Sequence, residues 1–139
     1  MEKKLMLIVN PAAGRGGYKV NFAEALHTLD LGGYRTTLFF TSGRGEATEF
    51  AARHAGNFDT VACIGGDGTL SEVLAGLMQL DSPPPVGYMP MGTANDVATT
   101  LGLPKNDTVG AARRIVHGTA HPFDVGGFGD DKYFAYIAA

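Results

Sequence analysis

Three short glycine-rich segments contain the residues of this chain that could do chemistry. Residues 10–14 read NPAAG, residues 65–69 read GGDGT, and residues 90–96 read PMGTAND. Glycine and alanine leave backbone N–H groups open to a large polar ligand, and phosphate oxygens are well suited to such bends. A carboxylate beside a phosphate repels it unless a cation lies between them, so Asp67 indicates a phosphate site assisted by Mg²⁺.

The same residues also have structural interpretations. Asp67 or Thr69 could cap a helix that follows the GGDGT segment, and residues 69–72 (TLSE) fit the S/T-x-x-E capping box. Asn95 and Asp96 are equally suited to cap a helix after them. Spacing alone leaves ligand binding and helix capping open for each of these residues.

The elements that position these segments follow from short apolar runs alternating with longer runs of helical period. The runs predict strands at 5–9, 34–41, 60–64, 86–89, 121–126 and 132–138. They predict helices at 18–31, 46–55, 69–80 and 108–117, and a short helix from 95 or 96 to 101. This alternation predicts an α/β fold in three layers, with a mostly parallel, Rossmann-like sheet and helices on both faces. Ligands bind beyond the carboxyl ends of such strands, where each glycine-rich segment falls.

The composition of the chain limits the classes of protein to which it could belong. The chain has 139 residues, one domain's worth, and its 11 Lys and Arg against 14 Asp and Glu give a net charge of -3. That balance argues against a broad nucleic-acid-binding surface. Cys63 is the only cysteine, and the apolar run 5–9 is far shorter than the ~18 residues of a membrane-spanning helix. These features predict a cytoplasmic protein.

Two familiar phosphate motifs are missing from the sequence. It contains no G-x-x-x-x-G-K-[ST], and Gly14-Arg15-Gly16 lacks the third glycine of a dinucleotide turn because Lys19 occupies that position. The order NPAAG, GGDGTLSEV and PMGTANDVA instead resembles the diacylglycerol kinase catalytic domain family, which includes sphingosine kinases and soluble bacterial lipid kinases. GGDGT also resembles loops of NAD kinases and phosphofructokinases. The expected fold is therefore that of the N-terminal domain of those enzymes. The P-x-G-T-x-N-D pattern favours lipid kinases.

The resemblance implies an ATP-dependent enzyme that transfers the γ-phosphoryl group to a hydroxyl of a lipid such as diacylglycerol, with Mg²⁺ as cofactor. The residues implied to bind the nucleotide are Asn10, Pro11, Ala12, Ala13, Gly14, Thr41, Gly65, Gly66, Asp67, Gly68, Thr69, Leu70, Ser71, Glu72 and Thr93. The residues implied to be catalytic are Asp67, Asp96 and Asp124, and Asp67 is expected to act on Mg²⁺ directly or through water.

The resemblance also implies a domain division. Residues 1–139 correspond to the nucleotide-binding domain, and the family's second, β-rich domain, which supplies the general base and much of the lipid pocket, is not expected within them. The domain alone is therefore expected to be inactive or weakly active. An NAD kinase-like enzyme and a non-catalytic nucleotide-binding module remain alternatives, and the acceptor lipid, peripheral membrane contact and oligomeric state of the complete enzyme stay open.

Overall fold

A six-stranded sheet forms the centre of the molecule in the computed structural model, which describes residues 2–92, 95–124 and 134–138. The strands are β1 Lys3–Val9, β2 Tyr34–Phe40, β3 Thr60–Gly65, β4 Val86–Pro90, β5 Ala120–Asp124 and β6 Phe134–Ala138. Their order across the sheet is β2-β1-β3-β4-β6-β5, and β5 runs antiparallel to its neighbour β6 while the other pairings are parallel. The predicted α/β class with a mostly parallel sheet is confirmed.

Helices cover both faces of this sheet. They are α1 Phe22–Leu31, α2 Glu46–His54, α3 Asp67–Leu77, α4 Asp96–Leu101 and α5 Thr108–His117. Successive residues of a strand face opposite sides. Leu5 and Leu7 of β1 therefore join one buried cluster with α1 and α5, whereas Met6 and Ile8 join a second with α2, α3 and α4. The two clusters make the three layers expected from the sequence.

Two predicted helix starts are wrong, each for a local reason. The helix predicted from residue 18 begins at Phe22, because Asn21 adopts a left-handed conformation with φ 56° and interrupts the helical path. The segment before it, Ala13–Lys19, forms 3-10 turns. The helix predicted from residue 69 begins two residues earlier, at Asp67, so the GGDGT bend is itself the first turn of α3.

The order of the strands creates a switch point between β1 and β3. The chain passes from β1 to β2 on one side of β1 and later returns to place β3 on its other side. In open parallel sheets, the loops on the two sides of such a point diverge and leave a crevice where ligands bind. Residue Asn10 follows β1 and Gly66 follows β3, so the first two glycine-rich segments border this crevice.

Candidate active site

The three glycine-rich segments adjoin one another at the carboxyl edge of the sheet. The backbone N–H of Asn10 donates to the carbonyl of Ile64 at 2.9 Å, and that of Met91 donates to the carbonyl of Gly65 at 2.9 Å. The first segment also packs on the third, since a Cβ built on Gly14 would lie 2.8 Å from Cγ of Met91. These contacts hold the segments as one continuous rim.

The side chain of Asn10 fixes the first bend and ties it to the second. Its Oδ1 accepts from the N–H of Ala12 at 3.1 Å, which closes the turn after β1. Its Nδ2 donates to the hydroxyl of Thr69 at 3.3 Å, in the first turn of α3. Thr69 therefore bonds across the crevice, and the expectation that it caps its own helix is wrong, because α3 has already begun at Asp67.

The first turn of α3 presents open backbone to solvent. Its N-cap, Gly66, makes no side-chain capping bond, and the N–H of Leu70 is the first to bond back along the helix, to the carbonyl of Gly66 at 3.2 Å. The N–H groups before it lack acceptors within the helix. Gly68 is exposed, a Cβ on it would meet nothing within 4 Å, and its φ is not left-handed. Packing and backbone conformation therefore do not require glycine there, whereas close approach of a ligand would.

A cavity of about 380 Å³ lies beside this turn, between the ends of β1 and β2. That volume falls within the range of roughly 300–1,000 Å³ typical of small-molecule sites. Its lining comprises Asn10, Pro11, Ala12, Thr41, Ser42, Gly43, Arg44, Ala47, Thr69 and Glu72. Six of these were predicted from the sequence to bind nucleotide, and Ser42, Gly43, Arg44 and Ala47 were not. The signal for Ser42, Gly43 and Arg44 was their position directly beyond Thr41, after a predicted strand, whereas Ala47 lies in α2.

Two carboxylates hold the loop that forms the outer wall of the cavity. Glu46 accepts from the N–H of Ser42 at 3.0 Å and from its hydroxyl at 2.9 Å. Glu72 of α3 accepts from the N–H of Gly45, the N-cap residue of α2, at 3.1 Å. Glu72 thus caps the neighbouring helix, and the predicted capping box within residues 69–72 is wrong.

Asp67 likewise caps a neighbouring helix. Its Oδ2 accepts from the backbone N–H of Asp96 at 2.7 Å and from that of Val97 at 3.3 Å, the first two residues of α4. Its Oδ1 accepts from the hydroxyl of Tyr88 at 2.8 Å. Asn95, the N-cap by position, makes no side-chain cap and instead donates its amide to the carbonyl of Gly92 at 3.1 Å. The α4 N-terminus is therefore satisfied by a residue of α3.

Tyr88 is the functional candidate that the sequence reasoning missed. It lies in β4 and is 2% exposed. Burial, and then its hydrogen bond to Asp67, raises the pKa of the phenol well above its ordinary value, so the hydroxyl remains a donor to the carboxylate. The available signal was a lone hydroxyl in an otherwise apolar strand that leads directly into residues 90–96.

The arrangement leaves Asp96 accessible. It is exposed at the first position of α4, and its carboxylate has no hydrogen bond or ion pair within the described ranges. Those ranges contain no group of three or more His, Cys, Asp and Glu residues that could enclose a metal ion. Mg²⁺ is commonly held by only one or two carboxylates together with water and phosphate oxygens, and Asp67 and Asp96 are side chains of that type.

The other predicted binding residues differ in their surroundings. Ala13 is half-buried, and Gly65 is covered, since a Cβ on it would lie 2.5 Å from the hydroxyl oxygen of Thr69. Leu70 is 1% exposed and packs in the core, so only its backbone faces the rim, whereas Ser71 is exposed on α3. Thr93 lies outside the described residues.

Asp124 is not brought together with the other two aspartates. It ends β5 and pairs with Phe134, the first residue of β6. Farther along β6, Ile137 pairs with Val86, which begins β4. Asp124 therefore lies beyond the amino end of β4, whereas the glycine-rich rim follows its carboxyl end.

Comparison with known proteins gives consistent matches. Residues 4–128 match the family described as diacylglycerol kinase catalytic domain. The chain is 40% identical over 138 residues to a diacylglycerol kinase of Bacillus subtilis strain 168, covering 98% of this chain and 45% of that protein. It is 38% identical over 141 residues to a diacylglycerol kinase of Staphylococcus aureus strain bovine RF122 / ET3-1, covering 100% of this chain and 44% of the relative.

A solved structure gives the same result. The crystal structure of a diacylglycerol kinase from Bacillus anthracis strain Sterne superposes with a TM-score of 0.77 at 33% identity, covering 86% of this chain and 44% of that one. The chain thus spans less than half the length of these relatives. The family match at residues 4–128 includes all three glycine-rich segments. The chain belongs to the diacylglycerol kinase catalytic domain family.

Proposed function

We propose that the chain is the nucleotide-binding part of an ATP-dependent lipid kinase that transfers the γ-phosphoryl group to a hydroxyl of a lipid such as diacylglycerol. The observation that carries the proposal is the open first turn of α3, with Gly68 exposed, beside a cavity of about 380 Å³ between the ends of β1 and β2. Family membership and the names of the relatives support a phosphoryl acceptor that is a lipid.

In this proposal the cavity and the helix turn bind different parts of ATP. The cavity between Asn10, Thr41 and Arg44 receives the nucleoside, and the N–H groups of the turn bind phosphate oxygens. The positive end of the α3 dipole favours the phosphate charge. Arg44 has no ion pair within the described ranges, so its guanidinium is available to a phosphate.

Phosphoryl transfer depends chiefly on positioning and on neutralising phosphate charge. Mg²⁺, when bound with the nucleotide, would neutralise that charge. Asp67 and Asp96 are the residues that would hold it. Because Asp67 also caps α4, the same carboxylate keeps Asp96 beside the phosphate-binding turn. The transfer reaction is proposed for the protein at the length of its relatives, and nucleotide binding for this chain.

The lipid acceptor requires contact with a membrane surface. Over residues 2–92, 95–124 and 134–138, the helices are too short or too polar to cross a bilayer. We propose a cytoplasmic enzyme that meets the lipid at the surface of the membrane. The buried thiol of the single cysteine, Cys63, is consistent with a reducing compartment.

Calorimetric titration of the chain with ATP in the presence of Mg²⁺ tests the proposed nucleotide site. The informative pair of variants is Gly68→Val and Gly56→Val, because both glycines are exposed and a Cβ on either would meet nothing within 4 Å. We expect Gly68→Val to weaken binding at least about tenfold by blocking the approach of phosphate to the backbone, and Gly56→Val to leave it unchanged. Equal affinities for the two variants would contradict the site.

The acceptor is tested separately. A protein with the full length of its relatives is incubated with γ-labelled ATP and either diacylglycerol in mixed micelles or NAD. Label in the lipid supports the proposal, whereas label in NAD alone would establish the NAD kinase-like alternative.

A further inference from the structure

The hydroxyl of Tyr88 is directed at the carboxylate on which the candidate site depends. The ring is enclosed in the core around β4, and its hydroxyl donates to Oδ1 of Asp67 at 2.8 Å. The same hydroxyl lies 3.5 Å from Oδ1 of Asn95, so both of its polar neighbours belong to the rim. A phenylalanine would fill the same space in the core, and packing alone does not explain the hydroxyl.

The second oxygen of Asp67 has a different task. It accepts from the N–H groups of Asp96 and Val97, at 2.7 and 3.3 Å. Helix α4 has only six residues, and helices this short are not stable without partners. Since Asn95 makes no side-chain cap, Asp67 is the side chain that caps the α4 N-terminus among the described residues.

The orientation of the Asp67 carboxylate therefore matters for the cap at the start of α4. The last torsion of an aspartate is soft, so a carboxylate without a fixed partner rotates easily. The phenol of Tyr88 holds one oxygen, and this leaves the other directed at α4. The Asp96 side chain, at the first position of α4, is thereby set relative to the open turn of α3.

We propose that Tyr88 is a positioning residue of the phosphoryl-transfer site: its buried hydroxyl fixes Asp67 so that the first turn of α3 and the start of α4 act as one unit. This inference rests on the proposed function, which supplies the magnesium-bound nucleotide that the two aspartates would meet. Tyr88 itself is enclosed and does not contact the nucleotide.

The test compares Tyr88→Phe with Tyr34→Phe in the full chain. Tyr34 is a matched control because its hydroxyl has no hydrogen bond in the described part of the chain and its ring lies under Lys3 on the edge strand β2. In Tyr88→Phe we expect the amide protons of Asp96 and Val97 to shift upfield in NMR spectra. Their hydrogen exchange should accelerate about tenfold, as loss of a hydrogen bond to a charged group implies. Tyr34→Phe should match the wild type.

The affinity for ATP, measured with and without Mg²⁺, provides a second test. A purely structural role of Tyr88 would change the two affinities equally. With Mg²⁺ present, ATP should bind Tyr88→Phe about tenfold more weakly. Without Mg²⁺, affinity should stay within about twofold of the wild type, because the N–H groups of the α3 turn are retained. Equal losses with and without Mg²⁺, or wild-type values in both measurements, would overturn the inference.

Failure of the proposed function would look different. A wild-type chain that binds no ATP under either condition would contradict the proposed function. The hydrogen-exchange measurement would still test whether Tyr88 couples α3 to α4 through Asp67. Faster exchange at Asp96 and Val97 in Tyr88→Phe would then support the coupling of the two helices, and unchanged exchange would overturn it.

Discussion

Helices α2 and α4 flank α3 on the rim, and each is capped by a carboxylate of α3. At α2, Glu72 accepts from one N–H, that of Gly45, and Glu46 separately holds the preceding loop through Ser42. At α4, Asp67 accepts from two N–H groups and from the phenol of Tyr88. The α2 side is thus supported by two carboxylates and the α4 side by one.

The difference indicates that the carboxylates on the α2 side are structural, whereas the carboxylate on the α4 side serves both structure and the proposed chemistry. Loss of Glu72 leaves Glu46 to hold the cavity loop, so the α2 side should tolerate it. Loss of Asp67 removes the cap of α4, the partner of Tyr88 and a proposed metal ligand at once. On the α4 side, the proposed chemistry and the local stability therefore both depend on Asp67. On the α2 side they do not depend on one shared side chain.

The largest effect is expected from Asp67→Ala. We expect phosphoryl transfer to diacylglycerol, measured with labelled ATP in the protein at its relatives' length, to be abolished. The free energy of unfolding of the chain in urea should also fall by about 2 kcal/mol, because two N–H groups lose a charged acceptor and the buried Tyr88 hydroxyl keeps only its 3.5 Å contact with Oδ1 of Asn95.

The control for this prediction is Asp96→Ala. Its carboxylate is exposed and has no partner among the described residues, so transfer should be lost while the free energy of unfolding changes by less than about 0.5 kcal/mol. Near-normal turnover by Asp67→Ala would refute the metal assignment, and an unchanged free energy of unfolding would refute the capping of α4.

A smaller effect is expected from Glu72→Ala. The free energy of unfolding should fall by about 1 kcal/mol, the usual value of a helix cap, while ATP affinity changes by less than about fivefold because Glu46 still holds Ser42. Glu49→Ala is the control, since Glu49 is an exposed partner of Arg53 at 3.0 Å and its loss should cost at most a few tenths of a kcal/mol. If Glu72→Ala weakened ATP binding as much as Gly68→Val does, Glu72 would itself be a ligand of the nucleotide.

Much of the rim could be predicted because it follows from chain order. The apolar runs that become β1, β3 and β4 are short and distinct, and parallel strands bring the bends after them to one edge. Residues 10–14, 65–69 and 90–92 therefore had to be neighbours. The glycine at position 68 has no packing role, and open backbone is what the sequence predicts for this bend.

The capping pattern could not be predicted because it joins residues distant in sequence. Glu72 and Gly45 are 27 positions apart, and Asp67 and Asp96 are 29 positions apart. Local spacing favours a cap within the same helix, and only the packing of α3 between α2 and α4 redirects the carboxylates. Asp124 ends β5, which pairs antiparallel with β6, and the catalytic role that the resemblance implies for it stays a prediction.

The smallest predicted effect is a loss of unfolding free energy at alkaline pH. It distinguishes the α4 side from the α2 side, because only the α4 side is supported by a phenol, that of Tyr88. Burial raises the pKa of Tyr88 in the folded chain above its ordinary value of 10.0. The stabilisation from the neutral phenol is therefore complete below pH 10 and is lost as pH rises further, because the unfolded chain releases the proton more readily.

At pH 10 the loss should be about 0.4 kcal/mol relative to pH 8, as expected when half of the unfolded chains are ionised at this residue. Urea unfolding of the wild type and of Tyr88→Phe at both pH values measures it, since the contribution of Cys63, whose pKa burial raises to about 12, is common to both proteins. The variant should lose less stability than the wild type over this interval. An identical pH dependence would mean that the Tyr88 proton is not held more tightly in the folded state, and the bond to Asp67 would then add nothing to the stability of the α4 side.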